Sequence, residues 1–206
     1  MHTTRRAILG AGAAGAALLA GCGRSQNASA AMLARLDQLS TDILRQAPER
    51  ATSLGVTEER AGGRFIDRMS DVSKDAVRQD TAMLQSALSD LERIDRDRLN
   101  GQDITTYDVV TTSLRNQIEQ QSFEIGTGAL QPYIVTQLTG AYQDVPDFLD
   151  SQHPLTTRDQ AEAYLARLSG FAGQLGQETA IIAEDASAGV IPPDFAIDRA
   201  LEQMGA

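Results

Sequence analysis

The chain has 206 residues, with 18 Lys and Arg against 28 Asp and Glu, for a net charge of −10. So acidic a chain repels nucleic acid, whose binding depends on basic side chains neutralising phosphates, and it has no electrostatic pull toward anionic lipid. Its single cysteine, Cys22, excludes an intramolecular disulfide and any Cys-based zinc or iron–sulfur centre. With no Trp and 4% aromatic residues, the core has to be built from Leu, Ile, Val, Ala and Met.

The N-terminal stretch "TTRRAILGAGAAGAALLAGCG" reads as an address. Arg5 and Arg6 form a basic start, an uncharged run from Ala7 to Gly21 follows, and Cys22 closes it, which is the three-part layout of an export signal. The run is too short and too weakly apolar to span a bilayer. The adjacent arginines before Ala7-Ile8-Leu9 are similar to a twin-arginine signal, and Leu19-Ala20-Gly21-Cys22 resembles a bacterial lipobox. These features predict a signal peptide over 1–21, lipid attachment at Cys22, a flexible tether over 22–30 and a helical domain over 31–206. The predicted location is the periplasm or cell envelope, with the membrane reached through the lipid. Cleavage after the Ala28-Ser29-Ala30 sequence is the competing outcome, and it would release an unanchored chain. Losing Arg5 and Arg6 with the leader leaves 16 basic residues against 28 acidic ones, a net charge of −12.

Helical periodicity begins at Met32 and carries Leu33, Leu36, Leu39, Ile43 and Leu44 as far as Ala47, where Pro48 intervenes. A short helix is expected over Pro48 to Leu54, then a loop broken by Gly55, Gly62 and Gly63. Ser73 is placed to cap the next helix, whose face is Val77, Leu84, Leu88, Leu91 and Ile94, and Asn100-Gly101 ends it. A further helix carries Ile104, Tyr107, Thr111, Leu114 and Ile118. From Glu124 to Thr157, glycines and prolines among apolar residues mark a long connection. Thr156 with Asp159 suggests a weak capping box for a long helix, with Ala161, Tyr164, Leu165, Leu168, Phe171, Ala172, Leu175 and Ile182 as its apolar face. Gly170, Gly173 and Gly176 in that helix suggest close approach by another helix, since no strand and glycine loop precede them to cradle a phosphate. After Gly189 and Pro192-Pro193, a last amphipathic helix shows Phe195, Ile197, Leu201 and Met204. No segment alternates like a strand for long, the nearest being Tyr133-Ile134-Val135. The fold class is all-α, an irregular multi-helix array with one long proline- and glycine-containing loop.

Catalytic signatures are sparse. The two histidines, His2 and His153, cannot form an H-E-x-x-H zinc site, and His153 has no G-x-S-x-G elbow to serve. His153, before Pro154, is expected to be a solvent-exposed loop residue. The carboxylate pairs Glu58-Glu59, Glu184-Asp185 and Asp144 with Asp147 are expected to sit on solvated faces, with Asp144 capping a short helix. No catalytic, metal or cofactor residue is therefore assigned in this chain.

The section "PYIVTQLTGAYQDVPDFLDSQHPLTTRDQAEAYLARLSGFAGQL" with "ASAGVIPPDFAIDRALEQM", preceded by "ATSLG" and "DRMSD", resembles the N-terminal part of the bacterial domain-of-unknown-function 885 family. The resemblance implies a mostly helical, often exported protein several hundred residues long, related to zinc metallopeptidases through an H-E-x-x-H helix in its C-terminal half. None of those metal positions has a counterpart here. The implied reading is the N-terminal part of a lipid-anchored, metallopeptidase-like hydrolase, inactive by itself, with zinc and a peptide substrate expected only at full length. The alternative is a complete non-catalytic helical lipoprotein that binds or scaffolds.

Overall fold

A computed structural model of the chain describes residues 27–126 and 131–205. Among these residues the secondary structure is helical, and the strand-type pairing is a single isolated bridge between Thr136 and Thr139. The helices are α1 (27–46), α2 (Pro48–Ser53), α3 (Lys74–Glu92), α4 (Gln102–Gln121), α5 (Ala141–Ser151), α6 (Arg158–Ser187) and α7 (Asp194–Met204), with a 3-10 turn at Arg96–Arg98. The leader residues Arg5, Arg6, Leu19, Ala20, Gly21 and Cys22 lie outside the described residues. Residues 27–30, expected to be tether, form the first turn of α1, and Ala28 already packs against the core.

The first region is a three-helix bundle. Met32 and Leu39 of α1, Leu84, Ala87 and Leu91 of α3, and Leu114 of α4 are buried together with Leu99. Each leucine so buried contributes about 1.5–3 kcal/mol relative to exposure. Arg35 of α1 donates to Asp90 of α3 at 2.8 Å on the rim of that core. Ser73 caps α3 as expected, its hydroxyl accepting from the Ala76 amide at 3.2 Å. Gly101 has φ 51°, a backbone that favours glycine, so it can reverse the chain into α4.

The second region is built on α6, whose 30 residues make it about 45 Å long. Its N-cap is Thr157, with Gln160 completing the capping box, one residue after the expected Thr156 and Asp159. The reason is that Gln160 Oε1 reaches back to the amides of both Thr156 and Thr157, while Asp159 turns outward to pair with Arg64. α5 lies against α6, with Ala141, Val145 and Leu149 buried beside Met69, Phe148, Tyr164 and Phe171. A small cluster of Leu44, Ala51, Ala61 and Phe65 fastens α2 and the following loop to the end of α1.

The expected apolar face of α6 is only partly the buried one. Tyr164 and Phe171 pack inward, whereas Ala161, Leu165, Leu168, Ala172, Leu175 and Ile182 are exposed. Of the three α6 glycines, Gly170 lies under Met69, where a Cβ would come within 2.6 Å of Met69 Cγ, and Gly173 and Gly176 meet nothing within 4 Å. The close neighbour at Gly170 is thus the loop before α3, not another helix. α7 buries Ala196 and Ala200 and displays its larger apolar side chains.

Candidate functional site

The buried polar side chains of α6 are Arg167, Gln174, Glu178 and Asp185. Their spacing of seven, four and seven keeps them on one stripe of the helix, and each holds a different segment of the chain.

Arg167 is fully buried. Its guanidinium donates to the carbonyls of Arg68 (3.1 Å), Phe65 (3.2 Å) and Pro48 (3.4 Å), to Thr52 Oγ1 (2.6 Å) and to His153 Nδ1 (2.8 Å). It also lies 4.9 Å from the centre of the Phe148 ring, a cation–π distance. Burial holds its pKa down to about 10 against the opposing pull of Glu49 and Asp67. Each of the three guanidinium nitrogens has an acceptor, which is what a buried guanidinium requires.

His153 is buried, not exposed as expected. Because arginine can only donate, His153 Nδ1 is the acceptor in that pair, so the proton sits on Nε2, which donates to the Gln160 carbonyl at 2.9 Å. Its ring meets Tyr164 edge to face, with centres 5.4 Å apart. The bend at His153, where α5 ends, sets its ring beside α6 to complete the Arg167 shell. Both ring nitrogens are therefore engaged, and neither offers a lone pair to a metal.

Farther along, Gln174 donates to the Ser70 carbonyl at 2.9 Å and to Glu49 at 3.2 Å, and Glu49 accepts from the Ser70 amide at 2.8 Å. Glu178 accepts from the Ala141 amide at 2.9 Å. That contact caps α5, whose first residue follows Gly140 and has no side-chain cap of its own, so the capping role expected of Asp144 belongs to Glu178. Burial pushes the Glu178 carboxyl above its ordinary value, the Ala141 amide works against this, and Asp144 adds to it. Asp185 takes the Gly126 amide and the Lys74 ammonium, both at 2.8 Å. Burial pulls the Lys74 ammonium down, but the hydrogen bonds it donates to Asp185 and Glu184 outweigh this and raise its pKa. Of the expected carboxylate pairs, Glu184 and Asp185 therefore share one cation, with Glu184 on the solvated face as expected and Asp185 buried. Gly126 is required in its turn, since a Cβ there would stand 2.3 Å from the Gln131 carbonyl.

Two cavities border this stripe. One, of about 350 Å³, is polar on one side, with Glu49, Arg50, Ser70, Asp144, Gln174 and Glu178 facing Val145 and Phe148. The other, of about 230 Å³, is apolar and lies between the end of α6, the 132–135 segment and α7. Among the described residues, no group of three His, Cys, Asp or Glu is arranged to hold a metal, and no helix is long and apolar enough to cross a membrane.

The profile of a family described as "Bacterial protein of unknown function (DUF885)" matches residues 48–206. The chain belongs to the DUF885 family. The whole Arg167–Asp185 stripe and the linings of both cavities, Ala47 excepted, lie within the family span, while α1 precedes it. A solved structure described as that of the "putative lipoprotein from Colwellia psychrerythraea" superposes with a TM-score of 0.73 at 22% identity, over 87% of this chain and 31% of that one. The DUF885 chain shares that fold, and it spans about a third of the length of the Colwellia protein. No curated protein matches it. The stripe itself escapes a sequence reading because Arg167 and Glu178, taken singly, look like solvated charges in an amphipathic helix; the seven, four and seven spacing through Gln174 to Asp185 is the signal that links them.

Proposed function

We propose that this chain is the exported, lipid-anchored N-terminal part of a cell-envelope protein, forming a helical wall of a metallopeptidase-like hydrolase. Membership of DUF885 and the shared fold with a chain described as a lipoprotein support the envelope reading. The residues described here do not fit a zinc site, because the ring nitrogens of His153 are both engaged, so no catalytic step is assigned to them. What the chain contributes is a rigid scaffold with a polar groove between Glu49, Arg50, Asp144 and Glu178.

The observation that carries the anchor is the start of α1. Residues 27–30 are helical, and Ala28 packs on the bundle core, so cleavage after Ala30 would cut into a folded element. Processing at Cys22 instead leaves α1 intact and places its first turn within about 17 Å of the acylated residue, five residues away at full extension. Mass spectrometry of the mature protein extracted from membranes tests this: a chain beginning at a diacylated Cys22 is expected, and one beginning at Ala31 overturns it. For the hydrolase reading, the expectation is an in-frame H-E-x-x-H beyond codon 206 and no tight zinc uptake by the 206-residue chain. Stoichiometric zinc binding at micromolar concentration or below by that chain would refute this division of labour.

A further inference from the structure

We infer that the exposed side of α6, together with the apolar groove beside α7, is the docking face for the helical remainder of the family fold, the part that lies beyond the matched third in the Colwellia relative. This rests on reading the chain as the N-terminal part of a longer protein. Leu165, Leu168, Ala172, Leu175, Thr179 and Ile182 alternate steps of three and four, the 3.5-residue repeat of a helix that packs along another helix. All six are exposed in this chain, Leu165 by 63% and Leu168 by 41%.

Charge distribution makes the same point independently. Between Ala163 and Ala183 the charged residues are Arg167 and Glu178, and both are buried. The solvent-facing surface of that stretch, about five to six turns, therefore carries no charge in a protein whose residues are 22% charged. Water-facing helix surfaces are normally the charged ones. Gly176 lies on the same side with open space where a Cβ would stand, so a neighbouring backbone can approach. At its C-terminal end the repeat runs into the 230 Å³ groove through Ile182, and Leu201 and Met204 of α7 extend the apolar surface, 60% and 51% exposed. An uncharged apolar surface of this extent marks an interaction site. The occupant follows from the comparison: 87% of this chain corresponds to 31% of the relative, so the relative has more than twice the matched length to place against it.

The test compares the 206-residue chain with the chain read on through the codons after Ala206, each with and without Leu168→Glu plus Leu175→Glu. In the 206-residue chain the pair should leave the Tm unchanged and reduce binding of an apolar dye. In the longer chain it should lower the Tm by more than about 5 °C, the scale of two charges forced into a packed contact. Should the longer variant fail to fold, a thiol at Thr179→Cys in the otherwise unaltered chain, with Cys22 acylated, reads the same face: labelling at least about tenfold slower in the longer chain is expected if the site is covered. Equal sensitivity or equal labelling in the two chains overturns the proposal, as does a stop codon directly after Ala206. A dimer of the 206-residue chain that the Glu pair dissociates would assign the face to a second copy and overturn it too. Zinc content reports separately on the hydrolase: a longer chain with a covered face and no zinc removes that reading while the docking stands.

Discussion

In the α1–α3–α4 bundle the large apolar residues of three helices point at one another, and the charged ones, such as Asp75, Arg78 and Arg93, stay outside. α6 does the reverse, turning Arg167, Gln174, Glu178 and Asp185 inward while Leu165, Leu168 and Leu175 face solvent. The difference lies in what each helix must hold. The bundle joins regular helices whose backbones satisfy themselves, so side chains need supply only volume. α6 instead gathers backbone groups from separate segments: the start of α2, the 65–70 loop, the start of α5 and the Gly126 turn. Those groups need hydrogen-bonding partners in the interior, and leucine cannot provide them.

The comparison breaks most visibly at Arg167. Arg167→Leu removes the one donor group that ties three carbonyls, a hydroxyl and His153 together and should cost about 3–5 kcal/mol in urea unfolding, with Arg167→Lys recovering little because an ammonium cannot reproduce the planar fork. Leu91→Ala, in the centre of the bundle, should cost about 2–5 kcal/mol through a cavity and no polar penalty. A loss at Arg167 no larger than that of an exposed ion pair would show that the stripe holds nothing. Thr157→Ala should remove about 1 kcal/mol by uncapping α6, read as a lower urea midpoint with an unchanged m-value.

Glu178 separates the regions by pH. Because burial raises its carboxyl in the folded chain, its favourable contribution is complete below the ordinary value of 4.5 and is lost as pH rises through the folded value. Glu178→Gln keeps the acceptor for the Ala141 amide without the charge. It should therefore be more stable than the parent at pH 7 and should lose that slope, an outcome visible in denaturation curves between pH 4 and pH 7; a parallel pH profile would contradict it. The smallest effect is expected at Leu165→Gln, within about 0.5 kcal/mol in the 206-residue chain, since that side chain is largely exposed there.

Much of the bundle was legible from periodicity. The α3 face containing Leu84 and Leu91, its Ser73 cap and the all-helical class all follow from local spacing, because a bundle core depends on the same 3.6-residue repeat that the sequence displays, whereas α3 ends at Glu92, short of the stop expected at Asn100-Gly101, and a 3-10 turn fills the gap. The address expected at Arg5, Arg6 and Cys22 is also a purely linear pattern, and it lies outside the described residues. Which side of α6 is inside was decided only in three dimensions. Leu168 and Arg167 are neighbours in sequence, and hydrophobicity alone turns the leucine inward. The choice went to arginine because carbonyls from residues 48, 65 and 68, about a hundred or more positions away, converge on it. His153 was hidden for the same reason: nothing beside Pro154 announces that an arginine on the next helix needs an acceptor.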